Sequence, residues 1–292
     1  MPARSAALHG RAAAWIIRGI TLSWNPVLNF APVKVLRVAV HILVGSLTAI
    51  MLFPRLDRPA RTRRVKMWSM KLLAILKVEV VVKGDPEAAH RAGALLVANH
   101  VSWMDIYVLF SVVRTRFVSK AEVRGWPLIG LLAEAAGTLF LTREKKADAM
   151  RINLMMASHL REGDCLTFFP EGTTSDGSGL MPFFPSLFQP AVDAEAHVWP
   201  VRIHYFTSDG ARCQDVAYFG QMSLGESFLK ITQLKAVRAE VNFLPPIPSK
   251  GLRRRELASA AEAAIREGFG RAPNEADAAP GNSPGSSTRP PA

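Results

Sequence analysis

The seven residues Asn99-His100-Val101-Ser102-Trp103-Met104-Asp105 set a histidine and an aspartate five positions apart, between apolar runs at 94–98 and 106–110. An oriented imidazole is the usual general base near neutral pH, and a carboxylate that accepts the proton on its far ring nitrogen fixes the tautomer. At about 3.6 residues per turn, positions five apart do not share a helical face. The pair therefore works only if His100 precedes a helix that carries Asp105 in its first turns, at a junction where a buried strand hands over to that helix. The same residues admit a structural reading. Ser102-x-x-Asp105 resembles a capping box, and His100 is then an ordinary loop histidine.

A second chemical segment is Phe168-Phe169-Pro170-Glu171-Gly172-Thr173-Thr174-Ser175. Pro170 ends an apolar strand and Gly172 permits a tight turn. A carboxylate, hydroxyls and free backbone N–H groups thus gather at a strand's carboxyl end, where α/β sheets bind ligands. The plain alternative is a turn with a solvated acid. Gly137-Thr138-Leu139-Phe140-Leu141-Thr142-Arg143 ends another strand on a cation, and Val198-Trp199-Pro200-Val201 is an apolar strand interrupted by proline. The other histidines (His9, His41, His90, His159, His197, His204) lack a comparable setting. No His-Glu-x-x-His or Cys-x-x-Cys pattern suggests a metal. Cys165 and Cys213 are expected as small free side chains in a reducing compartment.

These segments need a scaffold. Strands are predicted at 78–82, 95–98, 116–118, 138–142, 165–169, 198–205 and 237–243, with a turn at 84–86. Helices are predicted at 103–112, 130–136 and 147–161. Strands alternating with helices imply an α/β fold with a mixed sheet flanked by helices. From about 268 the chain is rich in Pro, Gly, Ser, Ala and Asn, and a disordered tail is expected over 268–292.

The net charge of +12 is confined to one end. Residues 1–83 hold 14 Lys and Arg against 2 Asp and Glu, and the remainder holds 22 of each. A nucleic-acid binder more often carries its cations on the folded domain. Here they flank apolar stretches, which points to an anionic membrane surface. No cleaved signal peptide is expected. Residues 35–53 form the candidate membrane helix, able to cross the bilayer or to lie within one leaflet, with Arg37 free to snorkel. Arg55, Arg58, Arg61, Arg63, Arg64 and Lys66 follow it and place that side in the cytoplasm. An amphipathic helix is predicted over 65–77, suited to an interface or to packing on the domain.

In this order and spacing, the four segments resemble the four blocks of the glycerolipid acyltransferase family, which includes the lysophosphatidate acyltransferases. The first matches at Asn99, His100, Ser102 and Asp105, the second at Gly137, Phe140, Leu141 and Arg143, the third at residues 169–173, and the fourth at residues 198–201. Lys120, ahead of Trp126-Pro127 and Gly130, matches a family lysine. The resemblance spans residues 68–245. It implies one acyltransferase domain over 68–267 behind a basic membrane-associated segment, 1–67, at the cytoplasmic face of the inner or plasma membrane.

The implied reaction moves a fatty acyl group from acyl-CoA or acyl carrier protein to a lysolipid hydroxyl, without a metal or other cofactor. His100 is the implied base and Asp105 its partner. Lys120, Arg143, Glu171, Gly172, Thr173 and Thr174 form the implied substrate site. One position departs from the pattern. Lysophosphatidate enzymes usually follow Glu-Gly-Thr with an arginine linked to the acceptor's phosphate, and Thr174 stands there instead. A threonine makes no bidentate charged contact. The expected acceptor is 1-acyl-glycerol-3-phosphate, with lyso-ornithine lipid as the alternative. A lipid hydrolase is a rival, but no Gly-x-Ser-x-Gly elbow is present. A non-catalytic membrane tether is another, and it leaves the His100/Asp105 pair without a role.

Overall fold

The computed structural model describes residues 15–17, 30–141 and 146–269. Among them, eight strands form one sheet: β1 (Trp15–Ile17), β2 (Val78–Lys83), β3 (Leu95–Ala98), β4 (Arg116–Lys120), β5 (Leu139–Leu141), β6 (Leu166–Phe168), β7 (Val198–Phe206) and β8 (Val237–Phe243). Their order is β1-β2-β8-β7-β3-β6-β4-β5. The pairs β1/β2 and β7/β8 are antiparallel and the rest parallel, so the sheet is mixed as expected. Every residue of the central strands β3 and β6 is buried. That explains why both read as unbroken apolar runs: parallel strands at the centre of a sheet are covered on both faces.

The helices are α1 (Ala31–Met51), α2 (Arg58–Leu76), α3 (Pro86–Arg91), α4 (Met104–Val112), α5 (Ile129–Ala135), α6 (Lys146–Arg161), α7 (Gln189–Asp193), α8 (Leu224–Gln233) and α9 (Arg254–Arg266). On one face of the sheet, Leu72 and Leu76 of α2, Met104 and Val108 of α4 and Ile231 of α8 share a core with Leu96, Ala98, Ile203 and Val241. On the other, Ile152 and Met156 of α6, Ala191 of α7 and Leu257 and Ala261 of α9 share a core with Leu95, Val97, Leu166 and Phe168.

The N-terminal helices differ most from the expectation. The basic cluster is not a link between two helices. From Arg58 on it forms the first turns of α2, which starts there because Asp57 accepts a hydrogen bond from Ala60 N (2.8 Å) and Pro59 fits the first turn. The boundary expected between 67 and 68 therefore falls inside an unbroken helix. Leu72, Leu73 and Leu76 bury the later part of α2 in the domain, while Arg63, Arg64 and Lys71 stay exposed.

The apolar helix starts at Ala31 rather than 35, with Pro32 in its first turn, and its 21 residues extend about 31 Å at ~1.5 Å each. It is the one helix among the described residues long and apolar enough to cross a membrane. Yet one of its sides is docked along the domain, against α2, α5 and α8. The fully buried Lys34 donates from Nζ to Leu234 O (2.6 Å) at the carboxyl end of α8, where the helix dipole favours a cation. His41 stacks on Trp68 at 4.5 Å, with reciprocal ring-to-backbone hydrogen bonds of 3.0 and 3.2 Å. A Cβ at position 45 would collide with the Trp68 ring, so glycine allows the close approach. On the opposite side Leu36, Val40, Leu43, Leu47 and Ile50 stand exposed at three- and four-residue spacing.

Four helices, α3, α7, α8 and α9, escape the periodicity argument. Asp85 caps α3 where a turn is predicted, with Ala88 N donating to it (2.9 Å). Neither α8 nor α9 was expected, although Ser223 and Glu226 make a capping box at the start of α8. The expected tail begins inside the ordered chain, since Phe269 packs edge-on against His204 at 4.7 Å. Its residues 270–292 lie outside those described.

Candidate active site

The parallel strands β3, β4 and β6 all deliver their carboxyl ends to one side of the sheet. β3 ends at Ala98, and the loop 99–103 follows before α4 begins at Met104. His100 thus precedes the helix and Asp105 sits in its first turn, as the spacing required. Asn99 closes the end of the strand. Its buried carboxamide donates to Ile203 O (2.9 Å) and accepts from Ile203 N (2.7 Å) on β7, in place of the missing strand partner.

His100 Nδ1 lies 2.8 Å from Asp105 Oδ2. The same oxygen accepts from Val101 N (2.7 Å) and Ser102 N (2.9 Å), and Oδ1 accepts from the Tyr205 hydroxyl (2.6 Å). Asp105 is fully buried and receives four donors, the arrangement a buried carboxylate needs to remain charged. The capping alternative is thus part of the same geometry, since one oxygen takes both the imidazole and the loop's N–H groups. The imidazole is 17% exposed, and Nε2 is left as the ring nitrogen with no protein partner among the described residues.

The loop after β6 grips the backbone of His100 from both sides. Glu171 Oε1 accepts from His100 N (2.7 Å), and Ser175 N donates to His100 O (2.8 Å). Gly172 makes this turn with φ +72°, a left-handed conformation that side chains disfavour. Phe169 stacks on the imidazole at 3.8 Å, with the rings 6° from parallel. Glu171 itself is 1% exposed, and its second oxygen accepts from Met181 N (2.9 Å). Burial pushes its carboxyl above the usual range, and the two N–H donors oppose that shift. Both oxygens of Glu171 are thus engaged in holding the two loops together, and Glu171 stands behind the residues that line the cavity.

His100, Lys120, Gly172, Thr173 and Thr174 line one cavity of about 810 Å³. The backbone N–H groups of Thr173 and Thr174 have no protein partner among the described residues. A second, mostly apolar cavity of about 650 Å³ runs beneath α1 and α2, sharing Trp68, Ile106, Tyr107 and Ile129 with the first. Arg143 lies outside the described residues. The structure thus brings together five of the expected residues, sets Asp105 and Glu171 behind them, and adds Asn99, Ser175 and Tyr205. The signal for Asn99 was a polar residue ending an apolar strand. Ser175 stood in a segment already marked for its hydroxyls, but its partner 75 positions away had no local signal, and Tyr205 had none of any kind. Elsewhere, His159, Glu162 and Asp164 cluster at metal-ligand distances, but Arg116 Nη1 stands 3.1 Å from Asp164 Oδ2 and occupies that place as the cation.

A histidine held by a buried aspartate beside free backbone donors, at the mouth of an apolar cavity, is the constellation of an acyl-transfer site. The comparisons agree. A family model described as Acyltransferase matches residues 79–204. A lyso-ornithine lipid O-acyltransferase of Pseudomonas aeruginosa is 41% identical over 208 residues, 71% of this chain and 79% of that protein. A 1-acyl-sn-glycerol-3-phosphate acyltransferase of Neisseria meningitidis is 36% identical over 185 residues, 63% of this chain and 72% of that protein. The crystal structure of the 1-acyl-sn-glycerophosphate acyltransferase of Thermotoga maritima superposes with a TM-score of 0.61 at 20% identity, over 84% of this chain and 95% of that one, and shares the fold. The chain belongs to the acyltransferase family.

Proposed function

We propose that this enzyme transfers a fatty acyl group from an acyl thioester, carried by coenzyme A or acyl carrier protein, to the free hydroxyl of a lysolipid. The observation that carries the reading is the His100–Asp105 bond, with Nε2 left free at the cavity. Nε2 removes the acceptor's hydroxyl proton as that oxygen attacks the thioester carbon, and Asp105 stabilises the imidazolium that forms. The tetrahedral oxyanion accepts hydrogen bonds from the N–H groups of Thr173 and Thr174. Collapse expels the thiolate, and the imidazolium returns its proton to it. The acceptor supplies the nucleophile, so no acyl-enzyme forms. The apolar cavity under α1 and α2 takes acyl chain, and no cofactor takes part.

The acceptor we favour is lyso-ornithine lipid. Among the described residues the cavity offers a single Lys or Arg, Lys120, together with Glu122, and Thr174 stands where a phosphate-binding arginine would be. One charge of each sign complements a zwitterionic headgroup better than a phosphate dianion. The second reading is 1-acyl-glycerol-3-phosphate, in keeping with the Neisseria relative and with Arg143 as a further cation. An acceptor panel with radiolabelled acyl thioester tests both. Transfer to neither lipid, or acyl release equal with and without acceptor, would overturn the proposal.

The exposed apolar side of α1 supports attachment to a membrane, with the helix lying in the plane of one leaflet. A helix whose other side is fixed to a polar domain along its length cannot cross the bilayer without drawing that domain in. The exposed Arg55, Arg63, Arg64 and Lys71 then meet anionic headgroups at the cytoplasmic face.

A further inference from the structure

The His100–Asp105 pair accounts for one oxygen of the carboxylate. The other faces the sheet and meets a group on a different strand. β7 pairs with β3 only as far as Val201, opposite Ala98, and then runs on behind the loop that carries His100. On this extension Ile203 holds Asn99 through its backbone, and Tyr205, two residues further on the same face, donates its hydroxyl to Asp105 Oδ1. The length of 2.6 Å is that of a charge-assisted O–H···O⁻ bond. The tyrosine is 3% exposed, and its own backbone carbonyl accepts from Cys213 N (2.9 Å), so its place is set independently of Asp105.

We propose that Tyr205 is a positioning residue for acid–base catalysis, fixing the plane of the carboxylate that meets His100 and moderating how strongly that carboxylate attracts the imidazole proton. The inference rests on His100 acting as the base.

The three donors on Oδ2 all hold the carboxylate by one oxygen, which leaves its plane free to swing about the bond to Cβ. The hydroxyl on Oδ1 holds the other oxygen and resists that swing. It also draws charge away from Oδ2, so the imidazolium is stabilised less than it would be by an undonated carboxylate. Burial first, and then the charge of Asp105, push the Tyr205 phenol well above the usual tyrosine range, which keeps it a donor. The other titratable groups near the pair are Glu171, bonded to the His100 backbone, and Lys120, Glu122, Tyr107 and Tyr218, which line the cavity with His100. None of these is bonded to the Asp105 carboxylate among the described residues.

The test is the pH dependence of kcat/KM for full-length Tyr205→Phe, which keeps the ring and removes the donor. The acidic limb, which reports protonation of His100, should move to higher pH, and kcat should fall about 10-fold with KM nearly unchanged. A purely structural tyrosine would lower the melting temperature and leave the limb in place. If the variant does not fold, 3-fluorotyrosine installed at position 205 strengthens the donor without enlarging the cavity, and the limb should move the opposite way. A folded Tyr205→Phe enzyme with an unmoved limb and kcat within twofold of wild type overturns the proposal, as does an unmoved limb with the fluorinated residue. His100→Ala measured alongside separates the two ideas. Loss of transfer there with no effect at Tyr205 rejects only the tyrosine's role, whereas full transfer without His100 rejects the base itself.

Discussion

The carboxyl end of β3 and the outer side of α1 are built by opposite rules. Around His100 nearly every polar group is engaged: backbone N to Glu171, backbone O to Ser175, Nδ1 to Asp105, the ring to Phe169. The outer side of α1 presents a row of apolar side chains that stay about half exposed or more. Chemistry needs one atom held to a fraction of an ångström, which takes directional bonds in a dry setting. Attachment to a lipid surface needs only apolar area, which has no direction. One region should therefore fail abruptly on a single change, and the other by degrees.

His100→Ala is the sharpest break. Acyl transfer should fall by about 10²–10⁴-fold, as for loss of a general base, with an unchanged circular dichroism spectrum and melting curve. Asp105→Asn should fall in the same direction, since an amide leaves a buried N–H without an acceptor. Near-normal turnover by a folded His100→Ala enzyme would abolish the contrast.

On the other side, Leu43→Asp with Leu47→Asp should weaken vesicle binding by about 10²–10⁴-fold, from two lost leucine insertions at ~1.5–3 kcal/mol each. Turnover on detergent-dispersed substrate should persist. Flotation with anionic vesicles reads the first and a mixed-micelle assay the second. Inactivity in micelles would mean that α1 shapes the site as well as the attachment.

Glu171→Gln probes the boundary between the two rules. Its carboxylate accepts from two backbone N–H groups, and an amide can serve only one. A loss of about 1–3 kcal/mol in urea unfolding is expected, with a fall in kcat as His100 loosens. A rise in KM alone would show a direct role in substrate binding.

Thr174→Arg should give the smallest effect, a few-fold shift in the ratio of transfer rates toward 1-acyl-glycerol-3-phosphate and away from lyso-ornithine lipid. An unchanged ratio would show that this position does not read the headgroup.

The sequence by itself determined a great deal where the information is local. The apolar runs of β3 and β6 predicted the buried central strands, and the five-residue spacing required the loop-then-helix geometry that His100 and Asp105 adopt. Glycine at 172 and proline at 170 marked the turn that follows β6. Where the chain has to be brought together from afar, the sequence was silent. Nothing near residue 205 indicates an aspartate 100 positions earlier, and nothing in Phe-Pro-Glu-Gly-Thr says that the glutamate faces inward. The same holds for α1. Its composition shows a helix apolar enough to cross a bilayer, but only the burial of Lys34 and the seating of Trp68 against Gly45 decide that one side belongs to the protein. Patterns of burial and backbone preference are written over a few residues. The partner of a buried polar atom is set by the sheet order, which no short window of sequence contains.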